Sequence, residues 1–295
     1  MRRVTAIVAG TALAALGAAA CQPIGSAASG ASGVTPTTAA SGSPADAQAV
    51  AAAYPTTVAT GSARIATSTQ IGVGGASLPL TSTGVIDFAG RAADLSGDLP
   101  AGQGSAETRF VGGVLYERLP SALVSRISGG KPWISLNVGA MSQQQGNGSA
   151  SQLLANSPAD PSAILAYLRG AGDHVTRNGP DTVDGTPTTR YTVLIDLDRS
   201  VAGQDQAAQN GVHALEQQLG SHTLPAQVWL DDQGRIRELS VDATMNGASG
   251  NTTPGNGAIT FKFSATLSDY GVITHIVAPS ADQTSDVTNL LGGNH

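Results

Sequence analysis

A chain of 295 residues with 21 acidic and 15 basic side chains carries a net charge of −6, which disfavours nucleic acid as a partner. Its single cysteine excludes an intramolecular disulfide, so an exported domain would be held by its core alone. With 41% hydrophobic residues and this length, that core can be large.

Arg2 and Arg3 form a positive n-region, and the apolar run 4–16 after them is too short for a stable membrane span. Ala18-Ala19-Ala20-Cys21 follows. The spacing predicts a signal peptide over 1–20 and resembles a lipobox, with Ala18 where Leu is usual. Cys21 would then be acylated, and three acyl chains anchor durably. Ordinary cleavage at the Ala-x-Ala, leaving a spare thiol, is the alternative. Acylation implies a protein lipid-anchored to the cell membrane on its extracytoplasmic side. Without Arg2 and Arg3, 13 of the 15 basic residues remain against 21 acidic ones, a net charge of −8. That argues against electrostatic docking on anionic headgroups. Residues 21–45 are rich in Ser, Gly, Ala and Thr and read as a lipidated cysteine on a flexible tether. Residues 46–295 read as one domain.

The domain opens with a short helix over 46–54, ended by Pro55. A strand over 63–73 puts Ile65 and Ile71 on one parity and Ser68 and Gln70 on the other. Another over 80–88 puts Ile86 and Phe88 opposite Thr83 and Asp87. Strands at 107–111, 113–119 and 132–138 follow, with Gly-rich turns between them. Ser157-Pro158-Ala159-Asp160-Pro161 opens a helix to about residue 169, with Ile164, Leu165 and Leu168 on one face. Strands resume at 173–177 and 182–184. The turn Asp184-Gly185-Thr186-Pro187 leads into a long strand over 189–198. There Tyr191, Val193, Ile195 and Leu197 alternate against Arg190, Thr192 and Asp196. A second helix over 205–219 repeats apolar residues at Ala208, Val212, Leu215 and Leu219. Residues 224–241 read as a β-hairpin turning at Asp231-Asp232-Gln233-Gly234. Strands over 259–267 and 272–277 close the domain, and 278–295 reads as a tail.

These elements predict an α+β fold: a half-open, strongly curved antiparallel sheet of about ten strands, with two or three helices covering its concave face. Alternating strands need only one face covered, and a sheet this wide must curl to hide it. The charged set at Arg190 and Asp196 needs water, so Tyr191, Val193, Ile195 and Leu197 should face the concave side. By the same parity Ile86, Phe88, Phe261, Phe263 and Leu267 face inward. Two helix faces, Ile164, Leu165 and Leu168, then Val212, Leu215 and Leu219, would close over them.

No catalytic constellation is legible. Ser128-Gly129-Gly130-Lys131 is formally Ser-x-x-Lys, but it reads as a Gly-Gly loop and not a helix start. No Gly-x-Ser-x-Gly elbow occurs. The five histidines are scattered, and His213 and His222 flank a helix end without metal-ligand spacing, as exposed side chains. Asp231-Asp232 and the Asp196/Asp198 pair read as solvated surface. Trp133 and Trp229 fall on the parity opposite their aliphatic neighbours. No catalytic residue, metal or cofactor is expected.

Four local patterns carry a family resemblance. They are Val114-Leu115-Tyr116-Glu117-Arg118-Leu119 followed by Gly130-Lys131-Pro132-Trp133-Ile134; Val183-Asp184-Gly185-Thr186 with Thr189 and Tyr191; Leu224-Pro225 through Val228-Trp229-Leu230-Asp231; and Leu267-Ser268-Asp269-Tyr270-Gly271 with Pro279. In this order they resemble the actinobacterial LppX/LprG-type lipoproteins of the LolA/LolB-like superfamily. The resemblance implies a half-barrel with a helical lid and an apolar cavity for acyl chains. It also implies a carrier of lipid, glycolipid or lipoprotein, with an envelope transporter as partner and no catalytic residue. The inward residues named above would line that cavity. A second reading is a non-enzymatic interaction or sensor module of an envelope complex, in which the same cavity is filled by side chains.

Overall fold

Period-two alternation builds one sheet from two consecutive meanders. The computed structural model describes residues 43–73, 76–98, 104–137, 140, 161–204, 206–245 and 259–288. The first meander runs β1 (Ser62–Val73), β2 (Ala76–Asp87), β3 (Ala92–Asp98), β4 (Ser105–Val111), β5 (Val114–Arg118) and β6 (Trp133–Asn137). The second runs β7 (Ala171–Val183), β8 (Thr186–Asp196), β9 (Thr223–Leu230), β10 (Ile236–Met245) and β11 (Ile259–Ser268). β11 pairs with β1 and joins the two. A short β12 (Thr284–Asp286) adds in parallel to β6, and every other pairing is antiparallel. Among the described residues the result is an open, curved sheet of twelve strands, more than the about ten expected, with β12 and β7 at its edges.

Local chemistry fixes the turns and the coiling. Asp184 and Gly185 both take positive φ, 46° and 75°, which is the two-residue type I′ turn that matches strand twist. β2 and β3 approach unusually closely. A Cβ on Gly84 would stand 1.9 Å from the Asp94 carbonyl oxygen, so only glycine fits where the sheet coils.

Among the described residues, the first helix and the helices that flank β7 and β8 in sequence gather over the second meander. α1 (Pro44–Val58) starts with a capping box in which Ser43 and Asp46 each satisfy the other's backbone N–H. α1 packs on β7, β9 and β10 through Val50, Ala53 and Thr57. α2 (Ser121–Ile127) bridges β5 and β6 in sequence. α3 (Pro161–Ala166) runs into a 3-10 turn, Tyr167–Gly170. α4 (Leu197–Ser200) follows β8, and α5 (Gln206–Leu219) packs on α4 and β10.

Several sequence expectations are corrected. The first helix does not stop at Pro55 but continues to Val58. Its last turn is held by other bonds: Thr56 and Thr57 hydroxyls donate back to the Ala52 and Ala53 carbonyls, and Ala59 N–H donates to the Pro55 carbonyl. Thr57 is fully buried and its Oγ accepts the Ile236 N–H at 2.9 Å, so tertiary contact outweighs the proline's cost. The strands expected at 173–177 and 182–184 are one strand, β7, interrupted by register shifts. β3 and α2 were not anticipated; β3 is small and polar, Ala-Ala-Asp-Leu-Ser-Gly-Asp, and shows little alternation. Residues 272–277 are no strand. Val272 N–H donates to the Asp269 carbonyl, and two carbonyls of the stretch are held by side chains, with the Ser62 hydroxyl donating to the Val272 carbonyl and Arg109 to the Val277 carbonyl. Ile273 is left 97% exposed. The stretch read as a tail contributes β12, which buries Val287 beside Leu136. The signal peptide, Cys21, most of the tether, residues 157–160 of the helix opening read from the sequence, and the loop 246–256 lie outside the described residues.

Candidate functional site

Cross-strand register fixes which residues share the inner face, because direct antiparallel partners point the same way. In the second meander the rows read Val175–Val193–Ala226–Val241–Phe263 and Tyr191–Val228–Leu239–Ala265. Across the junction, Ile65 stands against Leu267 and Ile71 against Phe261. Every predicted inward residue lies on this face or on a helix packed over it. Ile86, Phe88, Ile164, Leu165, Leu168, Tyr191, Val193, Ile195, Leu197, Val212, Phe263 and Leu267 are buried in one contiguous cluster. Leu215, Leu219 and Phe261 are half-buried against its edge. Leu197 reaches the cluster from α4, since β8 ends one residue earlier at Asp196.

The inner face continues onto the first meander with a different lining. Ile86–Ala93–Phe110–Leu115–Leu136 is an apolar row. The next, Gly84–Leu95–Thr108–Glu117–Ile134, is mixed. Leu95, Leu115 and Ile134 are half-buried, and Leu78 and Leu80 at the far end of β2 are exposed and half-buried. Glu117 accepts the Thr108 hydroxyl at 3.2 Å, and burial pushes its carboxyl above the ordinary glutamate range. A half-buried carboxyl on the inner face is the feature that sequence reading passed over. Its signal was parity, since Glu117 shares a face with Leu115.

A pocket of about 270 Å³ bounded by described residues sits between β2, β3 and β4. Its walls, Thr81, Ser82, Thr83, Ser96, Gly97, Asp98 and Ser105, are polar and not the lining of an acyl slot.

On the outer face of the first meander, Arg109 pairs with Glu107 at 2.7 Å and lies 5.1 Å over the Trp133 ring. Trp133 therefore faces outward, as its parity requires, yet it is buried. Trp229 also faces outward and donates to Asp181 at 2.9 Å. Ser128 closes α2 by donating to the Val124 carbonyl at 2.7 Å. The Lys131 amine donates away from it, to the Ala281 and Thr284 carbonyls. The Ser-x-x-Lys is thus a loop that docks the C-terminal stretch. Asp231 is not solvated surface: its side chain is buried, accepts the Gln233 and Arg235 N–H groups and pairs with the Arg235 guanidinium at 2.8 Å. It is the anchor of the 231–234 turn.

His213 and His222 are exposed, as expected, but they are not isolated. Glu216 on α5 is buried, and both His213 and His222 turn their Nδ1 to it, at 3.2 and 2.9 Å. Asp198 on α4 stands 4.0 Å from His213 Nδ1 and 3.8 Å from His222 Nδ1. The hydrogen bond to Glu216 raises the His222 pKa. Three chain segments supply this cluster, so no spacing in the sequence announces it.

No family model and no curated protein matches the chain. Among solved structures it is similar to the lipoprotein LppX of Mycobacterium tuberculosis, at 15% identity and a TM-score of 0.46, over 80% of this chain and 100% of that one. It is similar to LprF of Mycobacterium bovis at 14% identity and a TM-score of 0.42, over 82% and 100%. A LolA superfamily protein of Nitrosomonas europaea matches at 12% identity and a TM-score of 0.30, over 76% and 94%.

Proposed function

We propose that the chain is a non-enzymatic cell-envelope lipoprotein that carries acyl-chain lipid or glycolipid on the inner face of its sheet. It would be anchored through an acylated Cys21 on the extracytoplasmic side of the cell membrane. The observation that supports this reading is the continuation of the apolar inner face beyond the helix-covered core. Leu80, Leu95, Leu115 and Ile134 share the parity of buried Ile86 and Leu136 but stay half-exposed. Each methylene of a guest buried there contributes roughly 0.8 kcal/mol, so long chains bind firmly without many polar contacts. Glu117 and Thr108 on the same rows offer polar contacts to a headgroup or linkage.

A second reading, an interaction or sensor module, is favoured by the closed packing of Tyr191, Val193, Ile195 and Leu197. Those residues are 0–7% exposed and pack in one cluster, as filling by side chains requires. In our reading, uptake would therefore fall on the first meander.

One variant tests both parts. Cys21→Ala should move the protein from the detergent phase to the soluble fraction; retention in the membrane at the unmutated level would sink the anchor. The released protein, mixed with envelope lipid, should show added lipid mass in native mass spectrometry. Adding Leu80→Trp or Leu115→Trp should reduce that uptake while the fold survives. No uptake under conditions where a known lipid carrier loads would favour the interaction module.

A further inference from the structure

We propose that Asp198, His213 and Glu216 form a binding site for a borderline divalent transition metal of the zinc class, with His222 holding the second oxygen of Glu216. The three residues offer one donor atom each, all within 4.8 Å of one another. Zinc ligands at about 2.0–2.1 Å from the ion stand roughly 3.4 Å apart in a tetrahedral site. The 3.2 Å gap from His213 Nδ1 to Glu216 Oε2 already fits, and the 4.0 Å gap to Asp198 Oδ1 closes by a small rotation of an exposed side chain.

The cluster is built rather than accidental. His213 and Glu216 are three apart on α5 and so share one face of the helix. Gly220 then takes φ +64° and donates its N–H to the Glu216 carbonyl at 2.7 Å, which turns the chain back over the helix end. Leu197 N–H donates to the His222 carbonyl at 3.0 Å, which places His222 beside Asp198. Glu216 is the decisive member: its side chain is 8% exposed, and among the described residues its charged partners are the two imidazoles. With neutral imidazoles the four side chains sum to −2, and a divalent cation neutralises that charge.

The donor set selects the metal class. Two carboxylates alone would suit magnesium or calcium, but imidazole nitrogen favours zinc and its neighbours in the transition series. A soft thiolate, which would favour copper(I), is not among the three donors. A bound ion would tie α5 to α4 and the end of β8, and so would pin a helix that packs over the inner face.

The test uses the full chain, purified in mild detergent and stripped with a chelator. Calorimetric titration with zinc sulfate should give one ion per chain, and zinc should raise the melting temperature. Magnesium chloride should do neither. His213→Ala, at an exposed position that tolerates truncation, should lower zinc affinity at least about 100-fold and abolish the thermal shift. His222→Ala should lower affinity about 10-fold, as an outer-shell partner does. His275→Ala, outside the cluster, should change nothing. Zinc binding weaker than ~1 mM, or binding that survives His213→Ala unchanged, overturns the proposal. So does an equal loss in His275→Ala, which would mark surface binding only.

Discussion

The two meanders present one continuous inner face to different surroundings. On β8 the face is closed: residues 191–197 alternate buried and exposed without exception. On β2 the inner positions run from buried Ile86 through half-buried Gly84, Ser82 and Leu80 to exposed Leu78. The pleat is the same in both. Among the described residues the difference is what lies across it, since α1 packs on β7, β9 and β10 and α5 on β10. Residue composition follows. The helix-covered face carries Val, Ile, Leu and Tyr. The other intersperses Ser82, Thr108 and Glu117 among its leucines. A sheet can thus be a core over one half and a receptive surface over the other without any change of fold.

The largest expected effect tests that division directly. Leu165 is fully buried under the second meander, and Leu165→Ala should cost about 2–5 kcal/mol in urea unfolding. Leu80→Ala, at the same side-chain size on the first meander, should cost under about 1 kcal/mol. Comparable losses would show that the first meander is packed as tightly as the second, and the carrier reading would lose its place.

A smaller effect tests what holds the covering helix. Thr57 accepts the buried Ile236 N–H at 2.9 Å while donating to Ala53. Thr57→Val keeps the shape and leaves that N–H unpaired, so it should cost about 1–3 kcal/mol. Thr56→Val, one residue away, removes only a bond within the helix and should stay within roughly 0.5 kcal/mol. Equal melting temperatures for the two variants would mean that α1 is held by its apolar stripe alone.

The sequence made the second meander legible because burial and periodicity agree there. Tyr191 to Leu197, the 231–234 turn and the Phe261–Leu267 parity follow from alternation and turn chemistry alone. The first meander was harder to read. β3 lacks β-branched residues, and its Gly97 serves the coiling of the sheet rather than a side-chain pattern. Pro55 reads as a stop because the bond that carries the helix past it comes from Ile236, 179 positions away in the chain. β12 is three residues long and is defined by the edge it meets. The Asp198, His213, Glu216 and His222 cluster depends on α4, α5 and a turn closing together. For Pro55 and β12 the determining contact is distant in sequence, and local pattern carries no trace of it.

The smallest expected effect concerns Glu117, the carboxyl on the half-open inner face. Burial raises its pKa, and the Thr108 hydroxyl that donates to it only partly offsets this. The folded protein therefore binds this proton more firmly than the unfolded chain does. Stability from this group is fully present below the unfolded pKa and is lost as pH rises through the folded value, so at neutral pH the ionised carboxylate is a cost. Glu117→Gln keeps the length and an oxygen for Thr108 but cannot ionise. Its melting temperature should exceed that of the unmutated protein at pH 7 by roughly one to a few degrees. The advantage should vanish at about pH 3, where the unmutated carboxyl is protonated in both states. Such a pattern would place Glu117 in a partly desolvated trough, the environment that a bound acyl chain would complete. Equal stability at both pH values would mean that water reaches the carboxyl freely, and that this stretch of the inner face is open surface.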